Sequence, residues 1–319
     1  MAKTALIYGV SGQDGALLAR LLLEKGCRVV GASRNAEVTS FASLKKLKVQ
    51  QDVELISASL HDVSAVSKTI HQVKPDEVYH LSGQSSVGLS FAKPAETFQS
   101  HAVDGLNLLE ALRVSDNEVR LFQAGSGECF GETSVKGANE SSAFFPVSPY
   151  AVAKVAAFWN VKCYRDTYGL YACTGLLFNH ESPLRASTFV TKKIVEAACR
   201  ITNGSNEILK LGNTSIRRDW GWAEEYVDAM WRMLQQDKAD DYVIATGVSH
   251  SLETFVSMVF AEVGLNWSEH VVSDSSLFRP TDIVENVGDA SKAKRELDWA
   301  AKLGLKDIVK KMITAQMCA

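Results

Sequence analysis

Short apolar runs recur along the first half of the chain, each followed by a polar turn and a longer segment whose apolar positions return with helical period. Thr4–Tyr8, Arg28–Ala32, Val53–Ala58, Glu77–Leu81, Val119–Ala124 and Ala172–Phe178 read as strands. Between them Ala16–Lys25, Asp62–Val73, Pro94–Val114 and Tyr150–Tyr168 read as helices, with Leu106, Leu109, Ala111 and Leu112 on the buried side of the third. Strands that alternate with helices in this rhythm specify βαβ units and a parallel sheet. Beyond Phe178 the rhythm loosens into helix Phe189–Thr202, strand Ile208–Leu211, helix Glu224–Gln236, strand Tyr242–Ala245 and two or three further helices. No linker, internal repeat or low-complexity tract separates the halves. The pattern predicts an α/β protein: a Rossmann-type, doubly wound parallel sheet mainly in residues 1–178, and a smaller, interleaved C-terminal substrate-binding lobe mainly in 179–319, some segments of which return to the first domain.

The turn after the first strand sharpens this picture. Gly9-Val10-Ser11-Gly12-Gln13-Asp14-Gly15 leads from a strand into a helix, the layout of a dinucleotide-binding entry, although its spacing is GxxGxxG rather than GxGxxG. Gly9 permits a tight turn off the strand, Gly12 lets a pyrophosphate approach the backbone, and Gly15 lets the helix lie close. The helix N-terminus then offers free N–H groups to the phosphates. At the end of the second strand, where an acidic residue would accept from a free ribose 2′-hydroxyl, the charge is positive. Arg34 there points to a 2′-phosphate, and so to NADP, against the alternative of a solvated loop arginine.

Tyr150 and Lys154 are one helical turn apart, so both side chains share a face. An ammonium beside a phenol stabilises the phenolate, which can then act as a base towards a hydroxyl; the alternative is an ordinary helix-surface pair, against which the placement after the fifth strand of a nucleotide-binding sheet weighs. Ser126 and Glu128 follow the fifth strand at its carboxyl end, where open α/β sheets gather ligands. The hydroxyl there could bond a reacting oxygen and the carboxylate could move a proton, or both could sit in an ordinary solvated turn. His180, between Asn179 and Glu181, has no second ligand at a metal spacing, so no metal is expected and a structural or ligand-contacting role is. Lys193, Arg218 and Arg279 each read alone as surface charge; together they are candidate clamps for a diphosphate.

Composition adds exclusions. A net charge of −3 gives no reason to expect nucleic-acid or anionic-membrane binding. The six cysteines form neither a CxxC pair nor a zinc pattern and read as reduced thiols in a cytoplasmic protein. No segment approaches the ~20 apolar residues that span a bilayer.

Taken in order, several motifs resemble the extended short-chain dehydrogenase/reductases, and within them the GDP-mannose 4,6-dehydratase family, over nearly the full length. They are Gly9 to Gly15, Ser148-Pro149-Tyr150 with Lys154, Leu177-Phe178-Asn179-His180-Glu181-Ser182-Pro183, Phe189-Val190-Thr191, Arg218-Asp219-Trp220-Gly221, Ile244-Ala245-Thr246-Gly247 and Arg279-Pro280-Thr281. The resemblance implies that Tyr150 is the base, with Lys154 supporting it and contacting the nicotinamide ribose, while Ser126 assists and Glu128 removes the C5 proton of a hexose oxidised at C4. It also implies cofactor contacts from Gln13, Asp14, Leu81, His180 and Arg185, and substrate contacts from Ser85 and Asn179. The expected partner is a GDP-sugar, the expected cofactor a tightly held NADP, and the expected assembly a homodimer or homotetramer.

Three positions depart from the family's pattern. Ser126-Gly127-Glu128 stands where the family has Thr-Ser-Glu. Ala58-Ser59-Leu60 replaces Gly-Asp-Leu, a segment that in the family contacts the adenine, and Leu184-Arg185 replaces a pair of arginines in a loop that in the family reaches a neighbouring subunit's cofactor. The same reaction on a related sugar such as GDP-manno-heptose, a GDP-4-keto-sugar reductase or epimerase, and a catalytically silent cofactor sensor remain as alternatives at this stage.

Overall fold

The computed structural model describes residues 2–115 and 118–318. Six strands open the fold: β1 (Thr4–Tyr8), β2 (Arg28–Ser33), β3 (Glu54–Ser57), β4 (Glu77–His80), β5 (Arg120–Ala124) and β6 (Ala172–Leu177). A seventh, Tyr242–Ile244, arrives from late in the chain and pairs with β6. All pairs are parallel, and the order across the sheet is Tyr242–Ile244, β6, β5, β4, β1, β2, β3. The chain therefore lays down β1 to β3 on one side and restarts with β4 on the other, which opens a crevice at the carboxyl ends of β1 and β4.

Alternation along each strand divides the core into two layers. Ala5, Ile7, Tyr79, Phe122 and Cys173 face one side, where they pack on Leu17, Leu18 and Leu22 of helix Gln13–Glu24. Leu6, Tyr8, Val78, Leu121 and Ala172 face the other, against Val66 and Ile70 of helix Val63–Val73 and Leu108, Leu109 and Leu112 of helix Asp104–Arg113. The first layer also takes in Ala223, Tyr226 and Met230 of helix Ala223–Met233 and Ala293, Leu297 and Trp299 near the C-terminus. A second core, built from helices Val190–Thr202, Leu252–Glu262 and Leu305–Met317, lies wholly in the later half of the chain.

Three local outcomes differ from the sequence reading. The helix expected over Pro94–Val114 is broken: helix Pro94–Phe98 passes through a π-helical turn, Gln99–Val103, into helix Asp104–Arg113. Such wide turns are frequent at functional sites, and this one turns His101 inward. The segment Asn179–Glu181, just past the expected strand Ala172–Phe178, is a separate short strand, parallel to a strand over Arg217–Trp222 that the sequence reading missed. The cofactor helix begins at Gln13, ahead of the expected Ala16, because Gly12 is its extended N-cap.

Candidate active site

The crevice is one cavity of ≈ 1300 Å³ that runs from the glycine turn and Arg34, past Tyr150, to the later half of the chain. Every site residue expected from sequence lines it: Gly9, Gly12, Gln13, Asp14, Gly15, Arg34, Leu81, Ser85, Ser126, Glu128, Tyr150, Lys154, Asn179, His180, Arg185, Lys193, Arg218 and Arg279.

At the turn the glycines are required by space and by backbone. Gly9 has φ +90°, and a Cβ on it would lie 2.7 Å from Ser82 N; a Cβ on Gly15 would lie 2.2 Å from Gly9 O. A Cβ on Gly12 would meet nothing closer than 3.4 Å, so its surface is open to the cavity. Helix Gln13–Glu24 has no side-chain cap, which leaves its first N–H groups for a ligand. Exposed Arg34 stands at the end of β2. A backbone cradle, a bare helix N-terminus and a cation at the ribose end fit a dinucleotide diphosphate with a 2′-phosphate.

Gln13 and Asp14 turn their side chains towards the later half of the chain. Gln13 Nε2 donates to His180 O at 3.2 Å, Ser182 Oγ donates to Gln13 Oε1 at 2.8 Å, and His180 Nε2 lies 3.0 Å from Asp14 Oδ2. His180 Nδ1 donates to Phe178 O at 2.7 Å, which leaves Nε2–H to face the carboxylate when the ring is charged. Burial opposes both charges. The pairing prevails, holding the Asp14 carboxyl at about 2 and moving His180 upward against an opposing push from Arg185. Arg185 is braced by Glu181 Oε2 at 3.3 Å and by the Phe189 ring, 3.7 Å from its guanidinium carbon.

The reacting end is organised by one helix start. Ser148 Oγ accepts from Ala151 N at 3.1 Å and Pro149 occupies the first turn, so helix Pro149–Tyr168 begins just where Tyr150 and Lys154 must face the sheet. Lys154 Nζ donates to Ala124 O at 2.8 Å and lies 5.6 Å from the Tyr150 ring centre. The Ser126 hydroxyl draws the Tyr150 phenol down, and its Oγ accepts from Glu128 N at 3.2 Å. Within the protein alone, burial dominates: it pushes the Tyr150 phenol upward against the Ser126 hydrogen bond and pulls the Lys154 ammonium down to about 8. Among the chain's own groups Ser126 draws the phenol down most against that burial.

Glu128 faces the cavity from the same turn, its Oε1 3.9 Å from Arg218 Nε. Burial raises its pKa, Arg218 and Arg279 draw it down, and Asp282 pushes it up again. Arg218 is not a free cation. Its Nη1 donates to Ile283 O and Arg217 O at 2.7 and 2.9 Å, and its Nη2 to Asp282 at 2.8 Å. Arg279 Nη1 reaches the same Asp282 oxygen at 3.4 Å, and Lys193 Nζ donates to Lys210 O at 2.8 Å at the rim.

Sequence reasoning missed His101. Its ring meets Tyr150 edge-on at 5.3 Å, and its Nε2–H donates to Gln84 O at 2.7 Å. A Cβ on Gly83, φ +126°, would fall 2.4 Å from this ring, so the small-residue turn after β4 was the available signal. Asp282 and Asn286 were missed too; they lie on a two-residue strand and its approach, too short for any period. Among the described residues no group of three His, Cys, Asp or Glu side chains is arranged to hold a metal ion.

A parallel sheet of this order, with a glycine turn after its first strand and a tyrosine–lysine pair beside the turn that follows β5, defines an extended short-chain dehydrogenase/reductase. The fold matches that of dTDP-glucose 4,6-dehydratase from Bacillus anthracis in complex with NAD, with a TM-score of 0.85 at 17% identity over 98% of this chain and 96% of that one. Within this class the chain belongs to the GDP-mannose 4,6-dehydratase family, whose family model matches residues 6–312. GDP-mannose 4,6 dehydratase 1 of Arabidopsis thaliana is 45% identical over 98% of this chain and 89% of the relative. GDP-mannose 4,6-dehydratase of Sinorhizobium fredii is 40% identical over 98% and 95%.

Proposed function

We propose that this chain is a hydro-lyase that converts GDP-mannose to GDP-4-keto-6-deoxymannose with a tightly held NADP. Beyond family membership, one observation carries the reading: a cavity-facing carboxylate, Glu128, shares a turn with Ser126 and a wall with Tyr150 and Lys154. Ketone reduction alone has no need of that carboxylate. When bound, NADP would supply the hydride acceptor and donor needed for oxidation at C4 and reduction at C6. The backbone at Gly12 and the first N–H groups of helix Gln13–Glu24 hold its pyrophosphate, Arg34 its 2′-phosphate and Lys154 its nicotinamide ribose.

Tyr150, as phenolate, takes the C4 hydroxyl proton while Ser126 donates a hydrogen bond to that oxygen. The C4 ketone acidifies C5–H. Glu128 takes the C5 proton, the freed electron pair expels the C6 hydroxyl, and Glu128 delivers its proton to that group, which leaves as water. A proton equivalent to the one on Tyr150 returns to C5 when C6 is reduced, so atoms and charge balance. Burial of Glu128 suits this shuttle, because by raising the carboxyl's pKa it makes the carboxylate a stronger base for the C5 proton. Ser85 and Asn179 contact the sugar, while Lys193, Arg218 and Arg279 hold the diphosphate end, Asp282 bracing both arginines.

Incubation of the purified protein with GDP-mannose is expected to give a product lighter by one water without net change in nicotinamide absorbance. Glu128→Gln should keep nucleotide and NADP binding and lose about 10²- to 10⁴-fold in kcat, within the range for a general acid–base group. Full turnover by that variant would remove Glu128 from the mechanism, and stoichiometric loss of NADPH with a keto-sugar would replace the dehydratase by a reductase.

Residues 1–178 serve mainly as the cofactor domain and 179–319 mainly as the nucleotide-sugar lobe, a division supported by the second core lying wholly in the later half. The protein works as a homodimer or homotetramer. Support comes from Phe98, Val147, Val152 and Trp159, which are exposed on and beside two neighbouring helices. A monomer in sedimentation equilibrium would sink that proposal. Six unpaired cysteines, three of them buried, fit a reducing cytoplasm, and among the described residues no helix is long and apolar enough to cross a membrane. A chain found oxidised or secreted in cell fractionation would contradict this placement.

A further inference from the structure

Two segments far apart in sequence are stitched together beneath the sugar end of the cavity. One is the stretch that leaves the catalytic turn, residues 127–138; the other is residues 284–289. Glu132 accepts from Val284 N and Glu285 N, both at 2.8 Å, Thr133 N donates to Glu285 O at 3.1 Å, and Ala138 N donates to Val287 O at 2.9 Å. Within this seam Asn286 is set apart. It is 1% exposed, and its Nδ2 donates to Gly127 O at 3.1 Å and to Gly131 O at 3.0 Å. A carboxamide nitrogen carries two hydrogens, and both are used. The two carbonyls bracket Glu128, so the backbone on either side of the proposed proton carrier is held by a single side chain.

The position of Asn286 is fixed in turn from the opposite side of the site. Strand Glu285–Asn286 runs parallel to Arg217–Trp222, with Asn286 in register with Arg218, the cation facing Glu128. Asp282, four residues earlier, binds both Arg218 and Arg279. The backbone of the turn and the charge opposite Glu128 are thus set by one short stretch.

We propose that Asn286 is a positioning residue for the elimination step: by donating to Gly127 O and Gly131 O it aims the Glu128 carboxylate at the sugar. This inference rests on the dehydratase reading. Asn286→Leu keeps the volume and removes both donors, leaving buried carbonyls unpaired. It is expected to lower kcat between about tenfold and a hundredfold, the cost of misplacing a reacting group by about 1 Å, with KM changed less than about twofold. Because Tyr150 and Ser126 are untouched, oxidation at C4 should outrun elimination, and reduced-nicotinamide absorbance should build up on mixing with GDP-mannose, as it should in Glu128→Gln. Thr133→Val removes another bond of the same seam, to Val287 N at 2.9 Å, and controls for loss of packing. It should lower the melting temperature without the absorbance signal.

If Asn286→Leu fails to fold, Asn286→Asp, near-isosteric and also without paired donors, is read the same way. Native-like kcat in a folded variant, a change confined to KM, or a slow variant with no absorbance build-up overturns the proposal. If instead the unmodified protein gives no dehydrated product in the same assay, it is the dehydratase reading that fails.

Discussion

The two ends of the cavity are built by different means. At the cofactor end the surface is backbone: Gly9 in the left-handed region, Gly15 packed on Gly9 O, Gly12 open, and a helix start with no side-chain cap. At the sugar end the surface is charge held by charge, with Arg218 and Arg279 sharing Asp282, and Glu128 aimed by Asn286. A backbone cradle is intolerant of added atoms but indifferent to most charges. A side-chain cage tolerates volume changes and fails through lost hydrogen bonds. The first design suits a cofactor that stays bound through each turnover, the second a substrate that must leave.

The contrast is tested most severely at Gly15. Gly15→Val places a Cβ 2.2 Å from Gly9 O and 2.7 Å from Val10 Cα, both backbone atoms that cannot swing away. We expect a loss of about 3 kcal/mol or more in unfolding free energy and purified protein without nicotinamide in its absorbance spectrum. A stable, NADP-loaded variant would break the view that this end is sterically set. At the other end Arg279→Ala removes one ligand of a shared carboxylate and adds no atoms. KM for GDP-mannose should rise about 10- to 100-fold, the worth of a charge-assisted hydrogen bond, with the NADP content unchanged. Loss of NADP from this variant would show that the ends are not separable in this way.

The same contrast explains what could be read from the chain. β1, the glycine turn and the cofactor helix are local in sequence, so period and glycine spacing expose them together. Tyr150 and Lys154 are also local, and Ser148-Pro149 marks the helix start that aims them. The sugar end is non-local. Nothing near Arg218 signals that Ile283 O and Asp282 occupy its guanidinium, so it reads as a free clamp. Asn286 is one residue of a two-residue strand, and its partners lie more than 150 positions away. His101 is hidden for another reason: its segment has good helical period, and only the π-helical turn, which the period does not encode, brings it against Tyr150 and Gly83.

Where the two ends meet, the expected effect is smallest. The Asp14–His180 pair at 3.0 Å ties the phosphate turn to the strand Asn179–Glu181. Asp14 is held at about 2, below its ordinary 3.8, so its contribution to stability is present above 3.8 and lost as pH falls through about 2. His180 moves the other way. With a folded-state pKa above 6.5, its contribution is complete below 6.5 and lost as pH rises through the folded value, when the ring gives up the Nε2 proton that faces Asp14. Arg185 works against this proton, while Tyr226, stacked on the ring at 4.5 Å, adds no charge at these pH values. Between 3.8 and 6.5 both members are at full strength. His180→Gln cannot carry the charge, so the stability gap between it and the unmodified protein should be largest at about pH 5 and narrow as pH rises above 6.5 through the folded-state pKa, by on the order of 1 kcal/mol. Thermal unfolding of the NADP-free proteins across that range measures it. A gap independent of pH would mean that the junction is held by Gln13 and Ser182 alone, and that backbone and side-chain hydrogen bonding, without a titrating charge, join the two ends.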